Sequence, residues 1–199
     1  MIKIINPINS NILDMVVKLH IESLSQGLLS QLGENTLKCF YKSITEHNKS
    51  ILIVYLDNDN NELIGFISGT CNLQEFKKYF LKNCFTVLIK SLIKNFNFSM
   101  IKGIYNKIIY TTNLKEKYDI PIKSELISIV VSDKYRKKGL GKELFKELEL
   151  FFRNREIREF KILVGKDLIN SQKFYEKLGA KKLFNYWNSK NYIYVYKIK

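Results

Sequence analysis

The stretch from Glu125 to Phe145 constrains the fold more than any other part of this chain. Leu126–Val131 is apolar except for Ser128, the composition of a strand buried on both faces. It ends at the polar turn Ser132-Asp133. The loop Arg136-Lys137-Lys138-Gly139-Leu140-Gly141 follows, and a helical pattern starts at once. Leu140, Leu144, Leu148 and Phe151 form its apolar stripe, with Glu143, Lys146 and Glu147 outside. Gly139 and Gly141 carry no Cβ, so the backbone can approach a ligand closely. The loop N–H groups and the positive end of the next helix then converge on one point. Arg136, Lys137 and Lys138 add positive charge, and Lys142 opens the helix. Such a strand–loop–helix unit is a phosphate cradle.

The remaining chain must fold around that unit. At 199 residues it is long enough for one domain with a substantial core. The 46% hydrophobic and 26% charged content describes a soluble globular protein. Two prolines and nine glycines leave no room for linkers, so residues 1–199 read as a single domain. The first residues lack the pattern of a signal peptide, and Cys84–Ile93, interrupted by Lys90, is too short to span a bilayer. Cys39, Cys71 and Cys84 have no metal spacing and cannot all pair. Reduced thiols in a cytoplasmic protein are expected, with no metal. The net charge of +14 suits an anionic ligand, but the chain is lysine-rich throughout. No arginine-rich tail or aromatic RNA-binding signature concentrates that charge, so nucleic acid is not an expected partner.

Strands are expected at Ile2–Ile5, Ile51–Leu56 and Leu63–Cys71, the last two forming a hairpin across Asp57–Asn61. Ile12, Met15, Val16 and Leu19 place an amphipathic helix over residues 10–24. Ser25–Gly33 reads as a loop, and a helix continues to about His47. In residues 73–120, Phe76, Tyr79, Phe80, Phe85, Leu88, Ile89, Leu92 and Ile93 recur at helix spacing among lysines. This predicts two or three basic amphipathic helices and a loose tail to Pro121. Beyond the central unit come a strand at Phe160–Val164, a helix at Leu168–Leu178 closed by Gly179, and two antiparallel strands at Lys181–Trp187 and Tyr192–Ile198.

The loop pattern Arg-x-x-Gly-x-Gly between strand and helix resembles the acetyl-CoA site of the GNAT-family N-acetyltransferases. Phe174-Tyr175-Glu176-Lys177-Leu178-Gly179 is similar to a second GNAT segment, which flanks the pantetheine arm. The resemblance covers residues 125–180 by motif and the flanking strands by order. It implies an α+β domain with a mixed, mostly antiparallel central sheet, splayed between Leu126–Val131 and Phe160–Val164. Helices cover both faces, and residues 73–120 form a helical insertion between the third and fourth strands. It also implies acetyl-CoA as co-substrate, held by the backbones of Ile129, Val130 and Val131 and by Arg136, Lys137, Lys138, Gly139, Leu140, Gly141 and Lys142. Asn170 is a further candidate ligand, although the family's asparagine falls seven residues before the tyrosine, where this chain has Leu168.

Transfer of an acetyl group to an amine needs donors where negative charge develops, a base for the amine and an acid for the departing thiolate. Tyr175 lies where the family's tyrosine approaches the sulfur, and a phenol suits the acid role. Glu125 stands eleven positions before Arg136, the spacing of the catalytic glutamate in histone-type GNAT enzymes, and is the candidate base, directly or through water. His20 and His47 fall in the N-terminal helices, with surface or packing roles expected. No cysteine lies in either motif, so the amine is expected to attack directly. The expected acceptor is a small-molecule primary amine such as an amino sugar. A protein N-terminus or lysine is the enzymatic alternative, and a non-catalytic CoA-binding domain the other. The insertion is expected to form a wall over the acceptor and to allow a homodimer contact. A peripheral membrane foot is its rival, without stable insertion into the bilayer.

Overall fold

The computed structural model describes residues 1–25, 27–94, 121–186 and 191–199. Its elements are β1 (Ile2–Ile4), α1 (Ser10–Ser23), α2 (Leu28–Gln31), α3 (Glu34–Glu46), β2 (Ser50–Leu56), β3 (Leu63–Thr70), α4 (Leu73–Lys94), β4 (Glu125–Val131), α5 (Leu140–Arg153), β5 (Glu159–Gly165), α6 (Ile169–Leu178), β6 (Lys181–Tyr186) and β7 (Asn191–Lys197). The strands form one sheet in the order β1-β2-β3-β4-β5-β7-β6. The β4–β5 pair is parallel, and the other described pairs are antiparallel. The expected α+β domain with a mixed sheet is therefore what the chain forms.

Two apolar clusters sandwich the sheet. One gathers Val16, Leu37, Tyr41, Ile44, Leu52, Phe66, Phe76 and Phe80 beneath α1, α3 and α4. The other gathers Ile53, Ile67, Leu144, Phe145, Leu148, Phe152, Phe160 and Tyr194 beneath α5 and α6. Fully burying one such large side chain contributes about 1.5–3 kcal/mol. All eight positions of β3 are buried, since both its faces are covered. A Cβ on Gly69 would come within 2.6 Å of Leu148 Cδ1, so the glycine is what lets α5 lie close on β3.

The helix ends follow local chemistry. Asn9 caps α1 by accepting from the Ile12 N–H at 2.9 Å. Gly179 closes α6 in the left-handed region (φ 99°), and the Ala180 N–H reaches the Tyr175 carbonyl at 3.0 Å.

Two expectations change, and a third falls partly outside the described residues. The loop at Ser25–Gly33 contains the single-turn helix α2. The start of the insertion is one continuous helix, α4, of 22 residues. It buries Phe76, Phe80 and Cys84 against α3, while Leu81, Phe85, Ile89 and Ile93 stay exposed. The rest of the insertion, residues 95–120, and Trp187 at the end of an expected strand lie outside the described residues. The thiols are also corrected: Cys39 and Cys84 form a disulfide, and Cys71 is free. Packing of α4 on α3 brings the two Cα atoms to 6.0 Å, well inside bridging distance. Their separation of 45 residues conceals this in the sequence. No helix among the described residues is long and apolar enough to cross a membrane.

Candidate functional site

Strand β4 is paired with β5 only at its beginning, through Glu125↔Lys161 and Leu126↔Ile162. It stays paired with β3 to Val131, across a register slip between Ser68 and Gly69. The slip leaves Ile127 as an extra residue, a bulge on β4. Beyond Leu126 the edge of β4 toward β5 is open. The Ser132 N–H donates to Ile64 O on β3 at 2.8 Å. Alternation along a strand then turns the backbone groups of Val130 toward β3 and those of Ile129 and Val131 toward the open edge. Of the three backbones expected to meet a ligand, Val130 is thus already engaged within the sheet.

The glycine loop begins where this edge ends. Asp133–Tyr135 make one turn, and the Tyr135 hydroxyl donates to Asp57 at 3.3 Å, tying the loop to the β2–β3 hairpin. Lys137 (φ 63°) and Gly139 (φ 87°) both adopt left-handed conformations, which fold the loop back on itself. Gly139 caps α5, and its carbonyl accepts from Lys142 and Glu143. The Leu140 and Gly141 N–H groups, in the first turn, have no carbonyl within the helix to bond. A Cβ on Gly141 would lie 3.4 Å from the Phe174 ring and 3.9 Å from Val131 Cγ2. The start of α5, the end of β4 and α6 therefore meet at one junction.

Around it, Lys137, Lys138 and Lys142 are exposed. The Lys138 ammonium lies 5.1 Å from the centre of the Tyr135 ring. Arg136 turns inward on its own loop, with Nε donating to Val131 O at 3.1 Å and the guanidinium pairing with Asp133 at 2.7 Å.

Tyr175 lies next to Phe174 on α6 and is 5% exposed. It shares an apolar cluster with Ile129 and Val131. Burial raises its pKa above that of an ordinary phenol, so the hydroxyl stays protonated. Asn170, in the first turn of α6, is exposed.

Glu125 lies at the other, closed end of β4. Its carboxylate is 3.6 Å from the Lys161 ammonium, which also donates to Ile122 O at 3.1 Å. Burial raises the Glu125 pKa, while Lys161 and then Lys77 of α4 oppose the rise. Four residues of strand, roughly 13 Å, separate Glu125 from Ile129. The structure thus joins the loop, Ile129, Val131 and Tyr175 into one neighbourhood and leaves Glu125 at its far end.

Sequence reasoning missed a buried polar row. His20 and His47, expected on the surface or in packing, are both buried. His47 bonds Ser50 at 2.8 Å. His20 Nδ1 lies 2.6 Å from the Tyr41 hydroxyl, which lies 3.3 Å from Ser128 Oγ. The one polar residue in the β4 run, Ser128, was the available signal. Among the described residues, no group of three or more His, Cys, Asp or Glu is arranged to hold a metal ion.

Residues 15–180 match the model of the acetyltransferase (GNAT) family. No curated protein matches the chain in sequence. Solved structures match it along its whole length. A GNAT-family acetyltransferase from Staphylococcus aureus Mu50 is 12% identical, with both chains fully covered and a TM-score of 0.61. An aminoglycoside 6'-N-acetyltransferase complexed with coenzyme A is 16% identical over 100% of this chain and 97% of its own, with a TM-score of 0.61. NAA60 of Arabidopsis thaliana, in complex with acetyl-CoA, is 15% identical over 100% and 98%, with a TM-score of 0.58.

Proposed function

The chain belongs to the GNAT acetyltransferase family, and from that premise we propose that it transfers the acetyl group of acetyl-CoA directly to a primary amine of a small molecule, most simply an amino sugar. The observation that carries this is the open edge of β4, which starts after Leu126 and ends at the glycine loop.

The groups present fit the two ends of the cofactor. A doubly charged pyrophosphate suits the left-handed turn at Gly139, the free amides of Leu140 and Gly141, and the positive end of α5. Lys137, Lys138 and Lys142 supply counter-charge. The amide-bearing arm suits a strand edge whose groups at Ile129 and Val131 lack a β5 partner. When bound, acetyl-CoA supplies an activated acyl group.

The chain's own residues do the rest. The Ile129 backbone meets the acyl oxygen, where a fixed N–H acts most strongly as negative charge develops. The Tyr175 hydroxyl holds a proton for the sulfur. Glu125 takes the proton of the amine through a chain of waters, since one water cannot span the roughly 13 Å to Ile129. Asn170, exposed at the start of α6, contributes at most an outer contact to the cofactor.

The acceptor enters from the side of the sheet that carries α1, α3 and α4, with the insertion as its wall. A phosphorylated or polyhydroxylated amine suits the lysine-rich surface. Aminoglycoside acetyltransferases among the structural neighbours support an amino sugar.

A panel of amines screened for thiol release from acetyl-CoA tests the proposal. Release with small amino sugars, and none with peptides, is the expected result. Release with peptide N-termini or lysines alone replaces the acceptor. Tight acetyl-CoA binding without release for any amine makes the domain a CoA binder.

A further inference from the structure

Four polar side chains lie buried in a row on the α1–α3–α4 face of the sheet. His20 of α1 meets Tyr41 of α3 at 2.6 Å, Tyr41 meets Ser128 of β4 at 3.3 Å, and Ser128 meets Ser68 of β3 at 2.7 Å. Their exposures are 5%, 0%, 8% and 0%. The Phe66 ring stacks on His20 and stands edge-on to Tyr41, so the row is packed within the apolar core. Burying polar groups costs free energy unless every one is bonded, and apolar residues could fill this space without that condition. The row is neutral, because burial lowers the His20 pKa to about 4. It therefore supplies hydrogen bonds at fixed positions and no charge.

Its position in the sheet gives the row a purpose. Ser68 and Ser128 are register partners, and the slip in β3–β4 pairing begins immediately after Ser68. The bulge exchanges the faces of β4: Leu126 joins the α5–α6 cluster, and Ile127 and Val130 join the other. On its far side β4 has already parted from β5. A bulged strand with one open edge has lost ladder bonds at the point where its backbone must hold a direction. The Ser128 hydroxyl replaces them with one tie to β3 and another, through Tyr41 and His20, to two helices. The next residue is Ile129.

We propose that His20, Tyr41, Ser68 and Ser128 are positioning residues: a hydrogen-bonded brace that fixes the β4 bulge and so the direction in which Ile129 presents its backbone to the acyl group. The inference rests on the acyltransferase reading of the open edge. None of the four acts on the acyl group itself.

Steady-state kinetics with an amine accepted by the wild-type enzyme test the brace. Ser128→Ala and Tyr41→Phe lower kcat roughly ten- to hundredfold, as a small misalignment of a reacting group does. The KM for acetyl-CoA stays within about twofold, since the glycine loop is untouched. Ser128→Thr, which keeps the hydroxyl, recovers most of the rate. The double variant Tyr41→Phe/Ser128→Ala is no slower than the slower single one, because either change breaks the same row. Wild-type kcat in folded variants overturns the brace, as does a loss that Ser128→Thr leaves unrepaired. A second readout needs no acceptor: amide hydrogen exchange at Val130, whose N–H faces β3, is faster in Ser128→Ala, with exchange at Ile67, whose N–H faces β2, unchanged. Equal exchange at Val130 overturns the inference. If wild-type protein binds acetyl-CoA but releases no thiol with any amine, the acyltransferase reading fails instead, and exchange at Val130 alone decides whether the brace exists.

Discussion

The two ends of β4 solve opposite problems. At its beginning, Glu125 and Leu126 pair with Lys161 and Ile162, and a half-buried ion pair joins the strands. At its end, the strand stands away from β5, and a glycine loop and the N-terminus of α5 occupy the space beyond it. The closed end is held by contacts the protein makes with itself. The open end leaves backbone groups for a ligand to complete. Binding and positioning should therefore depend on the open end. The closed end should matter only where a titrating side chain enters the chemistry.

The largest effect is expected at the open end. Gly139 holds φ 87°, and a Cβ built there meets nothing within 4 Å. A side chain at Gly139 is therefore penalised by backbone strain and by what it places before the ligand, not by a clash with the protein. Gly139→Glu adds a carboxylate beside the pyrophosphate and is expected to abolish acetyl-CoA binding in calorimetry. Unchanged affinity in the folded variant would break the open-end reading altogether.

Tyr175 comes next. Tyr175→Phe keeps the packing against Phe145 and Phe174 and removes only the hydroxyl. Turnover should fall roughly 100-fold, the scale of one lost general acid. Affinity for acetyl-CoA should change little. Burial already holds the Tyr175 proton tightly, so the wild-type rate should show no alkaline fall from this group below pH 10. Turnover equal to wild type would leave Tyr175 as a packing residue of the second cluster.

The open end was legible in the sequence because its parts are contiguous. Strand, glycine loop and helix follow one another within Leu126–Arg153, and period and glycine spacing are local signals. The second matching segment, Phe174–Gly179, was legible for the same reason. The buried row was not: His20, Tyr41, Ser68 and Ser128 are drawn from four elements, and no local pattern connects them. The disulfide was hidden likewise, since Cys39 and Cys84 meet only when α4 lies on α3. Nor does periodicity show that α4 leaves one apolar stripe exposed, at Leu81, Phe85, Ile89 and Ile93. A spacing argument could nominate Glu125, but it could not place Lys161 beside it.

Glu125 gives the smallest effect and the sharpest test of the comparison. It sits at the closed end, where Lys161 lies 3.6 Å away, yet burial raises its pKa toward the range of a working base. If it takes a proton from the acceptor, wild-type turnover falls as pH drops through that raised pKa, because the protonated carboxyl accepts nothing. Glu125→Gln keeps the shape and removes the proton acceptor. Its deficit at neutral pH, at most the roughly 100-fold low end for a positioned base because it acts through water, should shrink as pH approaches the amine's own pKa, near 10.4 for a lysine-like amine. There about half of the acceptor is already the free amine and needs no base. A deficit constant with pH, and reproduced by Lys161→Met, would mean instead that the ion pair merely fastens β4 to β5. The closed end would then be structural throughout, and the base would have to be sought among groups nearer Ile129.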